Sequence, residues 1–134
     1  MHSLPLITYL AHDYDEAIEW FSRCLQFVLL EDTDQGHKRW VRMAPHPKSE
    51  TAFLIAKASS PAQRRVVGNQ HGGRVGFFLH TEDFAASHAH MIQEGVTFRE
   101  APRHEPYGTV AVFEDLYGAP WDLLQLKSHS AITE

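Results

Sequence analysis

The sequence predicts an α+β fold made of two βαβββ modules in tandem. Three observations predict it. Segments of alternating apolar residues flank two segments of helical period. The order strand, helix, three strands runs twice along the chain. Two aspartates, Asp13 and Asp83, open the helices at corresponding places. Residue identity between the halves is poor, so the repeat lies in the order of elements.

Residues 4–10 read as the first strand. Asp13 is a good N-cap, and Glu16 completes a pattern resembling a capping box. Tyr14, Ile18, Phe21 and Leu25 recur at helical spacing, with Asp15, Glu19 and Arg23 off that face. Cys24 lies on or beside the inner face and reads as a small core residue. Strands are predicted over 27–31, 38–43 and 51–57. Asp34-Gln35-Gly36 turns between the first two, and Pro45-His46-Pro47 breaks the chain before the third. Residues 59–73 lose their periodicity and read as a connector with one helical turn near 62–65. A strand over 75–81 follows. Glu82 and Asp83 put negative charge at the start of the second helix. Phe84, His88, Met91 and Ile92 form its inner face and Gly95 ends it. Strands over 96–100, 109–114 and 121–127 complete the second half, with a turn at Tyr117-Gly118-Ala119-Pro120. This gives one domain over residues 1–134: module one at about 4–58, the connector at about 59–73, module two at about 74–127.

Composition narrows the function classes. One cysteine excludes an internal disulfide framework and a zinc site built on several thiolates, and fits a cytoplasmic setting. No apolar run reaches the roughly 18 residues of a membrane span, and the start, MHSLPLITYL, lacks the charged region of a signal peptide. The net charge is −5, with 12 Lys+Arg against 17 Asp+Glu, which argues against a nucleic-acid-coating surface. No phosphate loop, dinucleotide fingerprint or nucleophile elbow occurs. Asp32-x-Asp34-x-Gly36 begins like a calcium loop but lacks the later acidic ligands, so it reads as a hairpin turn. Alternation divides Lys38-Arg39-Trp40-Val41-Arg42, with Arg39 and Val41 on one face and Trp40 and Arg42 on the other. Ten histidines remain, and imidazole is both a common metal ligand and a proton carrier near neutral pH.

Four stretches carry a family resemblance: Asp13-Tyr14-Asp15-Glu16-Ala17-Ile18-Glu19-Trp20-Phe21, Phe78-Leu79-His80-Thr81-Glu82-Asp83-Phe84, Val112-Phe113-Glu114-Asp115-Leu116-Tyr117-Gly118 and Trp121-Asp122-Leu123-Leu124-Gln125. In that order, over about residues 4–127, the chain resembles the vicinal oxygen chelate superfamily of glyoxalases, bleomycin-resistance proteins and extradiol dioxygenases. The resemblance implies two βαβββ modules pairing into a curved mixed sheet around one cavity, with helices outside. It also implies a homodimer.

In metal-dependent members, one side chain from the first strand and one from the last strand of each module meet the ion. The matching positions here are Leu6, Ile55, Gly76 (or Arg74 in a shifted register) and Asp122. Only Asp122 offers a donor suited to a metal, because leucine, isoleucine and glycine have none and arginine is permanently cationic. No metal site and no cofactor are therefore expected. Asp122 is the one candidate catalytic base; its other reading is a carboxylate paired with an arginine or backbone amide.

Alternation puts Arg74, Gly76, Phe78 and His80 on one strand face. His80 either meets a ligand there or caps the following helix. It lies roughly 13 Å along the strand from Gly76, too far to replace the missing ligand. His88 and His90 do not share a helix face and cannot readily chelate one ion. His2 and His129 lie near the termini; His12, His37, His46 and His71 lie at a helix start, in turns or in the connector. The segment Arg103-His104-Glu105-Pro106-Tyr107-Gly108 reads as a loop that either offers Arg103 or Tyr107 to an anionic ligand or is solvated.

Two functions follow. The first is a protein that holds a small organic ligand without the family's usual metal, with His80, Arg74, Phe78, Phe53, Lys57, Arg103, Tyr107 and Trp121 as its candidate binding residues. The second is a metal-dependent lyase or isomerase of lactoylglutathione-lyase type, or a dioxygenase, with a divalent metal in a non-standard site involving His80, Glu114 or Asp122. A structural module that assembles with a partner through its edges is a third reading.

Overall fold

A computed structural model describes residues 1–127; His129 lies outside the described residues. The chain divides into two units, Met1–Gly68 and Asn69–Glu134.

In the first unit, Asp13 adopts an extended backbone and its carboxylate accepts the amide N–H of Glu16 at 2.9 Å. That bond satisfies a donor left orphaned at the helix start. The elements run β1 (Leu6–Ala11), α1 (Tyr14–Cys24), β2 (Val28–Asp34), β3 (Arg39–Ala44), β4 (Ala52–Lys57) and α2 (Pro61–Val66). The strands form one sheet of order β1-β4-β3-β2, in which only β1 and β4 are parallel. Helix α1 buries Ala17, Trp20, Phe21 and Cys24. The buried stripe is thus rotated from the predicted one: Phe21 is at its centre, while Tyr14, Ile18 and Leu25 are half-buried on its flanks. Small Ala17 and Cys24 let the helix approach the sheet, where Tyr9, Phe21, Phe27 and Phe53 form a ring cluster with centroids 5.1–6.2 Å apart. The connector contains a full α2, opened by Pro61 and capped by the Ser60 hydroxyl on the Gln63 amide.

The second unit repeats the plan with β5 (Phe77–His80), α3 (Phe84–Gln93), β6 (Arg103–Glu105), β7 (Gly108–Glu114) and β8 (Pro120–Leu126). Its sheet has order β5-β8-β7-β6, again with the first and last strands parallel. Asp83 caps α3 by accepting the Ala86 amide at 3.0 Å. Both sheets are mixed, and neither closes into a barrel.

Three sequence expectations change here. The strand predicted over 96–100 is a single bridge, Phe98 to Phe113, and the edge strand falls instead at Arg103–Glu105. The Glu100 carboxylate accepts the Val112 amide at 2.9 Å, in the place of a ladder carbonyl. Pro102 then lacks an N–H with which to extend the ladder. The segment read as a loop at 103–108 is therefore a hairpin. On α3, Phe84 and Met91 are buried but Ile92 is 50% exposed. The half-buried His88 takes its place, with its ring between Phe84 (5.6 Å) and Phe98 (4.4 Å). No helix among the described residues is long and apolar enough to cross a membrane.

Candidate functional site

Each sheet has one face covered by its own helix and one helix-free face. In module two a file of rings fixes the covered side, running from Phe84 through His88, Phe98 and Phe113 to Trp121. Alternation and strand register then put Phe78, His80, Val110, Val112, Asp122 and Leu124 on the other side. Asp122, on the inner strand β8, pairs across the sheet with Phe78 on one side and Val112 on the other. Phe78 is 60% exposed, an unusual state for a phenylalanine inside a strand.

Charge gathers at the β6 end of this face. Arg103 donates from Nε to Glu100 at 2.9 Å and from a terminal nitrogen to Glu105 at 3.3 Å. Tyr107, in the hairpin turn, lies near enough to influence the Arg103 guanidinium. Asp122 feels both Arg103 and Glu100. Partial burial is the largest influence on it and raises its carboxyl above the usual aspartate range; Arg103 opposes this and Glu100 adds to it. Glu100 moves the other way, lowered chiefly by its bond to Arg103. Glu114, on the same face, is engaged by Arg99 at 2.8 Å. Asp122 has no hydrogen-bond donor on its carboxylate among the described residues.

The structure thus brings together Phe78, Asp122, Arg103 and Tyr107, with His80 exposed at the end of β5. It does not bring in Trp121 or Phe53. Trp121 is 2% exposed on the helix-covered side, with Nε1 donating to Asp115 at 2.9 Å. Phe53 belongs to the ring cluster of module one, and Lys57 ends β4 on that same side. Arg74 is exposed in the turn before β5. His104 lies on the outer side of the hairpin, where a groove of about 410 Å³ is lined by His104, Glu105, Pro106, Thr109, Gln125 and Lys127, among others.

Sequence reasoning missed Glu100. The opposite charge three positions before Arg103 was its only signal. It also missed the Glu31–Arg42 pair (2.9 Å) on the helix-free face of module one. There the bulge between Leu29 and Glu31 keeps Glu31 opposite Arg42, beside Trp40 and Leu54.

The inherited metal positions do not fit a metal. Ile55 is 1% exposed and faces α1; the counterpart of Asp122 is its neighbour Leu54, because Leu54 pairs with Thr8 as Asp122 pairs with Phe78. A one-residue slip exchanges the faces of a strand, and that is the error in the Ile55 assignment. Leu54 supplies no donor either. At Gly76 a side chain would have to start inside the imidazole of His71, which rests on the glycine and packs edge-on against Phe77. Among the described residues no three His, Cys, Asp or Glu side chains are grouped to hold an ion.

Comparison with known proteins shows the fold and the family. An uncharacterized protein of Shewanella frigidimarina is 46% identical over 132 residues, covering 97% of this chain and 98% of its own. The crystal structure of UcmS2 matches with a TM-score of 0.80 and 27% identity, over 92% of this chain and 98% of that one. TnmS3, an antibiotic binding protein from Streptomyces sp. CB03234, matches with a TM-score of 0.76 and 25% identity, over 95% and 98%. A family model matches residues 3–123, and the chain belongs to the Glyoxalase/Bleomycin resistance protein/Dioxygenase superfamily.

Proposed function

We propose that this protein binds a small organic molecule on the helix-free face of module two, without the multi-donor metal site of the superfamily's lyases and dioxygenases. One observation carries the reading: an exposed aromatic ring, Phe78, stands beside a partly desolvated carboxylate, Asp122, that has no hydrogen-bond donor among the described residues. A packing surface would bury the ring, and a structural carboxylate would be paired. The similarity to an antibiotic binding protein supports the same reading and points to ring-bearing natural products as the first compounds to try. A homodimer in the cytoplasm belongs to the proposal, and light scattering on the purified chain tests the oligomeric part.

The direct test is a thermal-shift and calorimetric screen against polycyclic aromatic antibiotics, with metal content measured on protein purified without chelator. A ligand at about 100 times its Kd should stabilise the fold by about 2.7 kcal/mol. Phe78→Ala should weaken binding about tenfold through lost apolar contact. One tightly held divalent ion per chain, or turnover of a hemithioacetal or a catechol that disappears in Asp122→Ala, would replace this reading with the lyase or dioxygenase one.

A further inference from the structure

We propose that module two selects ligands carrying a protonated amine on an apolar ring framework, with Asp122 receiving the ammonium and Phe78 the rings. The inference rests on the reading of the helix-free face as a ligand site and adds the charge class of the ligand.

Glu100 is engaged by Arg103 and the Val112 amide. Glu105 takes the other side of Arg103. Glu114 is held by Arg99, which also donates to the Gly118 carbonyl at 3.1 Å. Both arginines are already charge-compensated by carboxylates, so an anionic ligand would add to the negative side of the balance. Asp122 is the carboxylate left without a hydrogen-bond donor among the described residues. Its cross-strand neighbours, Phe78 and Val112, are apolar and offer it no hydrogen bond. Among the described residues Glu100, Glu105 and Asp122 outnumber Arg103 on this face, while Lys127 lines the groove behind the hairpin. His80, on the same face, adds positive charge only when protonated.

A neutral donor such as a hydroxyl would give Asp122 a hydrogen bond but leave its charge uncompensated. An ammonium does both, through a short charge-assisted bond. The exposed Phe78 ring adds to the selection, since an aromatic face attracts a cation and also packs against other rings. The raised proton affinity of Asp122 has the same origin: the group is poorly solvated as an anion and gains from any positive partner.

Three fluorescent probes with one framework test the proposal: 9-(aminomethyl)anthracene, 9-(hydroxymethyl)anthracene and 9-anthracenecarboxylic acid, titrated at pH 7 and constant ionic strength. The amine should bind at least tenfold more tightly than the alcohol, with the acid weakest. Asp122→Asn should bring the amine and the alcohol within about twofold of each other. Its melting temperature should equal or exceed that of the wild type, which excludes unfolding as the cause. Equal affinity for all three probes in the wild type, or an amine preference that survives Asp122→Asn, overturns the charge selection while leaving a ligand site in place. Absence of binding by all three up to millimolar concentration, with no antibiotic binding either, overturns the ligand site and this inference together.

Discussion

Module one fills the space between helix and sheet with a tight cluster of four rings, Tyr9, Phe21, Phe27 and Phe53. Module two instead strings its rings in a file and ends it on a polar residue, the buried Asp115. Asp115 accepts the amides of Tyr117 and Ala119, each at 3.0 Å, and the Trp121 indole at 2.9 Å. The helix-free faces differ in the opposite sense. Module one pairs its charges there, Arg42 with Glu31, whereas in module two Asp122 has no donor among the described residues and stands next to an exposed ring. Thr8 and Leu54 stand where module two has Phe78 and Asp122. One topological plan thus carries two side-chain programmes, and the residues capable of chemistry are concentrated on one copy.

The contrast can be broken most strongly in the cores. Phe53→Ala should cost about 3–5 kcal/mol, because it opens a cavity among rings that cannot readily collapse. Asp115→Ala should cost about 3 kcal/mol by leaving two amides and an indole N–H unsatisfied in module two. Urea denaturation with constant slope reads both.

Smaller effects sharpen the comparison. Gly76→Ala should cost about 1 kcal/mol, since the new methyl displaces the His71 ring from Phe77, and adding His71→Ala should recover most of it. Arg39→Ala removes contacts to Asp15, Asp32 and the Tyr14 ring, yet these are largely solvated and the loss should stay within about 1 kcal/mol.

The pH dependence should run in opposite directions for the two kinds of carboxylate. Bonds to Arg42 and Arg39, respectively, chiefly lower Glu31 and Asp32, so their stabilisation is present above the ordinary carboxylate values and fades as the pH falls below them. Asp122 is raised, so it costs stability once ionised, and that cost grows as the pH rises through its folded value. Asp122→Asn should therefore exceed the wild type in stability at pH 7. The advantage should vanish below the ordinary aspartate value of 3.8, as read from melting curves across the pH range.

The order of elements was legible because capping and periodicity are local. Asp13 and Asp83 announce both helices, and each accepts the amide that its position implies. The strand at Arg103–Glu105 was not legible, because its place depends on the Glu100 side chain standing in for a backbone acceptor, a nonlocal contact. Phe78, His80 and Asp122 could be assigned to one face by counting alternation from a firm strand. Ile55 could not, since an error of one position puts a residue on the wrong face and both Leu54 and Ile55 are equally apolar. Trp121 looked like a ligand-facing aromatic because its hydrogen-bond partner, Asp115, is recruited by a turn whose geometry the sequence only outlines.

The imidazole resting on Gly76 has a consequence for the history open to this chain. The positions that lack a donor are not equally open to one. Leu54 stands half-buried on the helix-free side, where a glutamate could be introduced in one step. At Gly76 a new side chain meets the His71 ring first and must push that exposed side chain off the glycine. The cost is the contact between His71 and Phe77, about 1 kcal/mol, so a donor at position 76 is disfavoured and comes more easily once the side chain at position 71 is small. Position 71 thus sets how readily a side chain can be added at position 76.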